Sequence, residues 1–343
     1  MSSSNSGSNL KEAEALMKSA AKHAEVGLFK WKPNWDGAAT DYEKAARIYT
    51  HAENSVMATD AWRKASNAHE KAGNSTFAAR SMESLALFLG DLAQRRGAGA
   101  GGASLLSDAI STYAEASRLY ELDGKFDRQA ESLKSAALLL GKGTATGGAD
   151  LQRVCDLLRS AVEVLEERVE EQQVYATRLP DMYHLWMLTH LRGGDVPGAV
   201  TVLERKLGFT TGGPRKSLYE RLAQPQNAAK AILEVVVLCL SRADPVWARQ
   251  EVEKLRSVPG FAGSREEATV EVLLSSFEDR DVEQLKEAVK EQTLQFITAD
   301  ISRLAKKLSI KGSEAHAKVE VLPPKQQQQQ QEGLDIDPEE DIR

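Results

Sequence analysis

The sequence predicts an all-α fold, a tetratricopeptide-like solenoid of roughly fourteen helices. Three observations predict it: an Ala and Tyr pattern that recurs at long range, turn signals that cut the chain into helix-length segments, and the lack of a convincing strand. The chain has 343 residues, of which 42% are hydrophobic. That is enough to bury a core without help from disulfides or metals.

The recurring pattern is Ala-x3-Tyr-x2-Ala-x3-Tyr, and its two copies lie 71 residues apart. The first copy is Ala38, Tyr42, Ala45 and Tyr49, and the second is Ala109, Tyr113, Ala116 and Tyr120. The displacement is close to two periods of the repeat of about 34 residues that builds tetratricopeptide solenoids. Because the spacing places small and bulky side chains on one helix face, neighbouring helices can approach at Ala and interlock at Tyr.

Turn and cap residues set the helix boundaries. Asp244 can cap the helix that follows it, with Pro245 at the first helical position, where a missing N–H costs nothing. Ser264 and Glu267 are spaced as in a capping box. The alternating segment at 318–322 is short and runs into two prolines, so we assign it to a tail rather than to a strand.

Three biased segments interrupt the helices: two glycine-rich stretches at 97–102 and 141–148, and a glutamine run at 326–331. The glycine-rich stretches predict solvent-facing turns, because Gly loses too much backbone entropy to be favoured in a helix. The first also matches G-x-G-x-x-G, but the segment before it reads as a helix rather than a strand, which argues against a dinucleotide site. The glutamine run predicts a disordered spacer before an acidic end.

Composition argues against catalysis, metal binding and nucleic-acid binding. The six histidines are scattered, and Cys155 and Cys239 stand far apart without metal-ligand spacing. We therefore predict no enzyme activity and no cofactor. The formal net charge is −6, and residues 332–343 alone carry six acids and one base. The rest of the chain is nearly balanced, so it lacks the basic surface that a nucleic-acid partner requires.

The N-terminal residues and the longest apolar run indicate where in the cell the protein is located. Residues 1–9 lack the basic and apolar order of a secretory signal and predict a flexible leader of a cytoplasmic protein. The apolar run at 232–240 is far shorter than the roughly 20 residues of a membrane-spanning helix, so it predicts a buried helix.

The segment from Gly27 to Trp35 combines three aromatic residues, a leucine and two lysines between a helix end and a helix start. One interpretation is that its rings fold back onto the first helices. The other is membrane contact, with the rings at the lipid headgroups and the lysines facing anionic lipid. The residues concerned are Leu28, Phe29, Lys30, Trp31, Lys32 and Trp35.

Two motifs and the C-terminus resemble the soluble NSF attachment proteins, the adaptors that link SNARE bundles to their disassembly ATPase. Residues 27–33, Gly-Leu-Phe-Lys-Trp-Lys-Pro, with the helix after them, resemble the first loop and second helix of the gamma type. Residues 257–264, Ser-Val-Pro-Gly-Phe-Ala-Gly-Ser, are similar to its Ile-Pro-Gly-Phe-x-Gly-Ser turn. The last five residues, Glu-Glu-Asp-Ile-Arg, resemble instead the terminus of the alpha and beta types.

The resemblance implies a right-handed solenoid of antiparallel helices that ends in a C-terminal helical bundle. The implied partners are a SNARE four-helix bundle, the hexameric N-ethylmaleimide-sensitive factor (NSF) and a membrane surface contacted through the N-terminal loop. The adaptor itself hydrolyses nothing. The implied location is the cytoplasm, with peripheral association with membranes.

The resemblance also implies site residues. The family's basic SNARE-facing residue corresponds to Lys125, in Gly-Lys-Phe at 124–126, and helical proximity adds Arg128 and Lys134. The family's penultimate leucine, which stimulates the ATPase, corresponds to Ile342. The acids near it predict an electrostatic guide to the ATPase: Asp335, Asp337, Glu339, Glu340 and Asp341.

The predicted organisation is a flexible leader at 1–9, the solenoid at 10–245, the helical bundle at 246–310 and a disordered tail at 311–343. An alternative function is a tetratricopeptide-like scaffold of another cytosolic complex. In that case the loop and the tail would be incidental.

Overall fold

The computed structural model describes residues 3–26, 31–97, 99–143, 148–210 and 213–310. These residues are almost wholly helical, which confirms the predicted all-α solenoid. The helices are α1 (Ser3–Ala24), α2 (Trp35–His51), α3 (Ser55–Lys71), α4 (Ser75–Arg96), α5 (Ala100–Leu122), α6 (Phe126–Gly143), α7 (Gly148–Glu166), α8 (Leu179–Arg192), α9 (Val196–Lys206), α10 (Leu218–Arg221), α11 (Pro225–Ser241), α12 (Pro245–Leu255), α13 (Arg265–Glu278), α14 (Val282–Ala288) and α15 (Ala299–Ala305).

Two 3₁₀ turns, Gln173–Thr177 and Gln292–Gln295, lie between helices. A small antiparallel hairpin follows α9, made of β1 (Phe209–Thr210) and β2 (Gly213–Pro214). The sequence did not predict this hairpin, because two-residue strands leave no alternating pattern to detect.

α1 begins at Ser3, so the structure places most of the predicted leader at 1–9 in a helix. The sequence does not indicate this, because Ser, Asn and Gly are weak helix formers. The predicted tail at 311–343 lies outside the described residues. The division into solenoid and bundle stays a prediction.

Helices α1 to α9 pack in order, each against the next in the chain. Short turns reverse the chain between most of them, as in antiparallel helix hairpins. The first copy of the repeat lies on α2 and the second on α5, and all eight residues are buried. The copies are therefore three helices apart and not the four that two helix-turn-helix periods would span, because α4 and α5 are longer than α2 and α3. The four alanines have no exposed surface, so they let neighbouring backbones approach closely.

The turns between α1 and α6 lie along two edges. On the first edge, Asn74 Nδ2 donates to Asp36 Oδ1 at 3.0 Å, which joins the α3–α4 turn to the start of α2. On the same edge, the Thr76 hydroxyl donates to Asp123 in the α5–α6 turn. On the second edge, Arg95 near the end of α4 binds Glu53 in the α2–α3 turn. Polar contacts between residues far apart in the chain thus hold both edges.

The turn formed by the first glycine-rich segment is shorter than the sequence predicts. α5 begins at Ala100, so Gly102 lies in its first turn, where it is buried. A Cβ at Gly102 would lie 1.9 Å from the carbonyl oxygen of Gly97, so glycine lets α5 pack against the end of α4. α6 likewise extends to Gly143, into the second glycine-rich segment. Tertiary packing here overrides the weak helix propensity of Gly.

The predicted cap of α12 is confirmed. The Asp244 carboxylate accepts a backbone N–H of this helix at 2.9 Å, and Pro245 is its first residue. The predicted capping box of α13 is only half formed. The Ser264 hydroxyl accepts the N–H of Glu267 at 3.0 Å, but the Glu267 carboxylate accepts the N–H of Gly263 at 2.6 Å instead of that of Ser264.

α11 organises the C-terminal part of the described chain. It packs against α9, α10, α12, α13 and α15, and all residues from 231 to 240 are buried, as predicted for the apolar run. Glu234 is the one carboxylate of this helix, and it accepts the N–H of Thr298 at 2.7 Å, which anchors the start of α15. Among the described residues, neither α11 nor any other helix is long and apolar enough to span a bilayer.

Candidate functional site

An open groove of about 540 Å³ crosses one face of the solenoid, lined mainly by α4 and α2, with one residue each from α3, α5 and α6. Its apolar wall includes Phe77 and Leu87 on α4, which are 49% and 58% exposed. The guanidinium of Arg80 lies 5.7 Å from the centre of the Phe77 ring. The lining residues are Glu43, Arg47, Trp62, Phe77, Arg80, Ser81, Glu83, Ser84, Leu87, Tyr113 and Ser135.

Glu43 ties three helices together at one end of this groove. Its Oε1 atom lies 3.0 Å from Nε2 of His69 on α3 and accepts the hydroxyl of Ser81 on α4 at 3.2 Å. The hydrogen bond from His69 lowers the pKa of the Glu43 carboxyl below its ordinary value. Arg47 binds the second oxygen at 3.2 Å, yet its side chain is 64% exposed, so its guanidinium faces solvent.

Glu83 repeats this arrangement two helices further along. Its carboxylate accepts the hydroxyls of Tyr120 on α5 and Ser132 on α6, both at 2.7 Å. Burial raises the pKa of Tyr120, and the bond to Glu83 acts in the same direction. The positive charges of Arg128 and Arg80 oppose this rise in pKa. The acids of the groove bind inward, whereas its arginines stay at the surface.

The groove has the chemistry of an interaction surface. Exposed guanidinium groups beside exposed apolar side chains can bind an elongated partner that carries acidic and apolar residues on one face. Within the described part of the chain, no group of three or more His, Cys, Asp or Glu side chains is placed to hold a metal ion.

Two relatives match nearly the whole chain. The gamma-soluble NSF attachment protein of Dictyostelium discoideum is 25% identical over 319 residues, which cover 92% of this chain and 88% of that protein. The gamma-soluble NSF attachment protein of Arabidopsis thaliana is 24% identical over 297 residues, which cover 87% of this chain and 91% of that protein. The chain is a homologue of the gamma-soluble NSF attachment proteins.

This homology confirms the resemblance to the gamma type predicted from the loop and the turn. No family model matches the chain. A solved structure, BtubC (BKLC) from P. vanneervenii, is 13% identical, covers 73% of this chain and 90% of its own length, and has a TM-score of 0.31. That likeness is too weak to add to the comparison with the gamma-soluble NSF attachment proteins.

The turn at 257–264 that resembles the gamma-type proteins is a packing element in this structure. Phe261 is fully buried and Val258 is 6% exposed. Gly260 has a φ of +92°, and a Cβ there would lie 2.6 Å from the carbonyl oxygen of Pro225. Only glycine tolerates both conditions, so this turn fixes the α12–α13 connection against the start of α11.

The basic residues predicted from the gamma-type resemblance fall in two places. Arg128 is exposed in the first turn of α6, but it does not line the groove. Lys134 precedes Ser135 of the groove lining, but it is paired with Glu131 at 2.9 Å and its side chain is only 17% exposed. Lys125 is exposed in the α5–α6 turn, on the first edge of the solenoid.

The predicted membrane loop of the gamma type is described only in part. Three of its residues lie outside the described residues: Leu28, Phe29 and Lys30. Trp31 is 89% exposed, and Lys32 is exposed beside it. Trp35 instead packs against a small apolar cluster of α1 to α3, with Lys71 Nζ 4.5 Å from the centre of its ring. Of the two interpretations of the loop, Trp31 fits membrane contact and Trp35 fits packing.

The predicted ATPase contacts all lie outside the described residues: Asp335, Asp337, Glu339, Glu340, Asp341 and Ile342. The sequence analysis did not single out the groove residues Arg47, Phe77, Arg80 and Leu87. Local sequence carries no signal for them, since their exposure depends on how neighbouring helices pack. A row of arginines on successive helix pairs could have been found only after the helices were aligned by repeat.

Proposed function

We propose that the chain is a non-enzymatic adaptor that binds assembled SNARE complexes and recruits and stimulates the NSF hexamer for SNARE disassembly in vesicle trafficking. The observation that carries this proposal is similarity, over 92% of the chain, to a protein named for attachment to NSF. The proposed location is the cytoplasm, with the adaptor at membranes where SNARE complexes reside.

The groove on α2 and α4 supports the SNARE part of the proposal. A SNARE bundle is a rod of helices, and the groove offers a surface that extends across several helices. Arg47, Arg80 and Arg128 would face acidic side chains of the rod, while Phe77 and Leu87 would contact its apolar ones. Complementary charge of this kind mainly speeds encounter and fixes register.

The tail is the proposed NSF contact. A short acidic segment behind a glutamine spacer loses conformational entropy when it docks, so one tail should bind weakly. Several adaptors around one hexamer would raise the effective concentration of tails and strengthen binding. Ile342 would be the apolar contact, and the acids before it the electrostatic guide.

One reconstitution tests both ends of the adaptor. A preassembled SNARE bundle is immobilised, the full chain is added, and retention of NSF and its ATPase rate are measured. The double variant Arg47→Glu/Arg80→Glu, which changes the two arginines that line the groove, should lower SNARE affinity about tenfold at low salt. The difference should shrink with added salt, because screening acts within about 10 Å at 0.1 M. Ile342→Ala should keep SNARE binding but reduce ATPase stimulation.

Matched variants control for charge and for the tail. Arg96→Glu/Arg118→Glu reverses two arginines that are exposed but do not line the groove. Leu334→Ala removes a different apolar side chain of the tail. Equal loss of SNARE binding in the groove variant and its control would contradict the groove as the binding surface. Full ATPase stimulation by Ile342→Ala would contradict the tail contact.

A further inference from the structure

Another open groove, of about 590 Å³, lies where the described chain ends, and we call it the C-terminal groove. Three parts of the chain line it: the α8–α9 connection, the end of α11 and the end of α15. Its apolar residues are Leu191, Val196, Leu240, Leu304 and Leu308. Except for Leu240, they are only partly buried and pack against the large apolar cluster that includes α11. The described residues therefore leave apolar surface uncovered at this end of the molecule.

The rim of this groove is cationic. Arg242 and Lys307 line it, both are exposed, and neither pairs with an acid among the described residues. Two more exposed cations, Arg192 and Lys306, stand next to lining residues in the chain. Long basic side chains can place their charge at the rim while their methylene groups cover apolar surface.

The acids that stand next to lining residues are already engaged. Asp195 caps α9: its carboxylate accepts a backbone N–H of that helix at 2.9 Å and lies 2.8 Å from Nδ1 of His190. Asp244 caps α12 in the same way, also at 2.9 Å. Arg303, beside the groove, is paired with Asp300 at 3.1 Å. The unpaired cations of the rim outnumber the two capping acids, so the groove favours an occupant with apolar and acidic side chains.

The place where the described chain ends decides what can reach this groove most easily. Ser309 lines the groove, and Ile310, which follows it, is the last described residue and is 9% exposed. Residues 311–343 continue from this point and lie outside the described residues. A segment tethered at the groove has an effective concentration on the order of 1 mM. Even a weak match is therefore enough for a segment of the chain's own C-terminal part to occupy it.

One segment beyond Ile310 matches the groove in chemistry and in spacing. Residues 334–337 are Leu-Asp-Ile-Asp, so apolar and acidic side chains alternate. In an extended segment, successive side chains point to opposite sides. The leucine and the isoleucine would therefore face the apolar floor of the groove together, and the two aspartates would remain at its cationic rim.

A competing segment is Val-Glu-Val-Leu at 319–322, which also alternates and is nearer to the end of the described chain. Its shorter connection favours it by about fivefold, since the probability of loop closure falls as about the 3/2 power of loop length. Leu334 and Ile336 carry two more methylene groups than the two valines, which favours them by about fifteenfold. The competing segment also has a single acid, next to Lys318, whereas 334–337 has two acids and no base. Apolar surface and charge together therefore favour the more distant segment.

We propose that residues 334–337 dock in the C-terminal groove as an extended segment, with the leucine and isoleucine on its floor and the two aspartates beside Arg242 and Lys307. The contact is made within one chain and does not depend on the proposed adaptor function. The two aspartates are among the acids proposed to guide the tail to NSF. In the docked state they are occupied, so the tail must leave the groove before they can meet NSF.

Disulfide cross-linking in the full chain tests this contact directly. Ser241→Cys places a thiol on the wall of the groove, and Gly333→Cys places one next to the docking segment without changing it. The native Cys155 and Cys239 are buried, so they should not compete. The rate at which the disulfide forms within one chain is measured in a glutathione redox buffer at low protein concentration, on non-reducing gels.

Three control pairs of cysteines give this rate its meaning. Ser241→Cys/Gln328→Cys has a shorter connection but a thiol in the glutamine run, and Ser241→Cys/Lys318→Cys reads the competing segment. Ser111→Cys/Gly333→Cys moves the first thiol to an exposed position on α5 that does not line the groove. The Ser241→Cys/Gly333→Cys pair should cross-link about tenfold faster than each control, because docking holds its thiols close together.

Charge and apolar variants of the Ser241→Cys/Gly333→Cys chain test the two halves of the match. Adding Arg242→Glu/Lys307→Glu should slow cross-linking about fivefold at low salt, the combined effect of two surface ion pairs. Changing the two aspartates of the segment to lysine as well should restore the rate. Replacing the leucine and the isoleucine of the segment by serine should lower the rate to that of the control pairs. Arg118→Glu, at an exposed position on α5, should leave it unchanged.

Several results would overturn this proposal. A Ser241→Cys/Gly333→Cys pair that cross-links no faster than its controls would do so, as would a rate that neither the rim charges nor the two apolar side chains of the segment affect. Fastest cross-linking by Lys318→Cys would make 319–322 the occupant instead. Disulfide dimers that increase with protein concentration would make a second copy of the chain the occupant. No SNARE or NSF is present in these measurements, so a failure of the adaptor function would leave all of them unchanged.

Discussion

Helices α1 to α8 each pack mainly against their neighbours in the chain, whereas α9, α10, α12, α13 and α15 all pack against one helix, α11. The two smaller apolar clusters, which are rich in alanine, lie within α1 to α5. All of the buried apolar residues of α11 belong to a single large cluster that begins at Ala86 on α4 and extends to Ile310, with α11 supplying its longest unbroken buried stretch. The first region therefore resembles a stack of pairs, and the second a small globular core.

This difference between the two regions predicts how far the effect of a destabilising substitution extends through the structure. In a stack, each unit depends on its nearest neighbours, so damage stays local. In a core built around one helix, the surrounding helices lose their shared support together. Local stability should thus be graded along the first region and cooperative in the second.

The largest expected effect comes from truncating one leucine in each region. Leu233 on α11 and Leu85 on α4 both have no exposed surface. Leu233→Ala and Leu85→Ala should each lower the free energy of unfolding by about 2–5 kcal/mol. The two variants should differ in how many helices show faster amide hydrogen exchange.

Leu233→Ala should speed exchange in α9 and in α12 to α15 together. Leu85→Ala should speed exchange mainly in α3 to α6, the helices nearest to it. Equal spread of faster exchange in the two variants would show that the two regions do not differ in cooperativity.

The next effect concerns two carboxyl groups, one in each region, whose pKa values are shifted in opposite directions. In the second region, burial raises the pKa of Glu204 to about 7, helped by a hydrogen bond to Glu251. Because this pKa is raised above its unfolded value of 4.5, the contribution of Glu204 to stability is full below about pH 4.5. It is lost as the pH rises through about 7. Glu43 in the first region has a lowered pKa, so its contribution is lost as the pH falls.

Glu204→Gln should therefore be more stable than the parent chain at high pH and similar to it near pH 5; the gain should be on the order of 1 kcal/mol, because the ionised carboxylate is partly screened and pairs with Lys254. Thermal unfolding across a pH series measures this difference. Glu253→Gln, at an exposed position on α12, serves as the control. Its difference in stability from the parent chain should be small across the whole pH series. A Glu204→Gln curve parallel to that of the parent chain would mean that this carboxyl does not titrate near neutrality.

The smallest effect compares the two copies of the repeat. Tyr49 and Tyr120 are equivalent by 71 residues and are 2% and 1% exposed. Tyr120 donates to Glu83 at 2.7 Å, whereas the buried Tyr49 hydroxyl has no hydrogen-bond partner among the residues that the structure describes. Tyr120→Phe should cost about 1.5–3 kcal/mol, the usual range for a hydrogen bond to a charged group, and Tyr49→Phe should cost close to nothing.

Chemical denaturation of the two phenylalanine variants checks this expectation. A loss in Tyr49→Phe as large as that in Tyr120→Phe would mean that the hydroxyl of Tyr49 has a partner in solution. It would also mean that the two copies are more alike than their contacts suggest.

The sequence by itself determined the helical class, the Ala and Tyr faces and the cap at Asp244. These follow from rules that act within a few residues: a helical period, the size of a side chain and the start of a helix. The sequence also determined the resemblance to gamma-type proteins, because that depends on short strings of residues. The C-terminal acids and Ile342 stay predictions, since they lie outside the described residues.

The tertiary structure alone decided which acids turn inward and which arginines stay at the surface. Glu43 meets His69, and Glu83 meets Tyr120 and Ser132, across separations of 26 to 49 residues. No local pattern encodes such pairs, because they depend on the angle and register at which helices pack. For the same reason the groove and the central place of α11 appear only once the chain is folded.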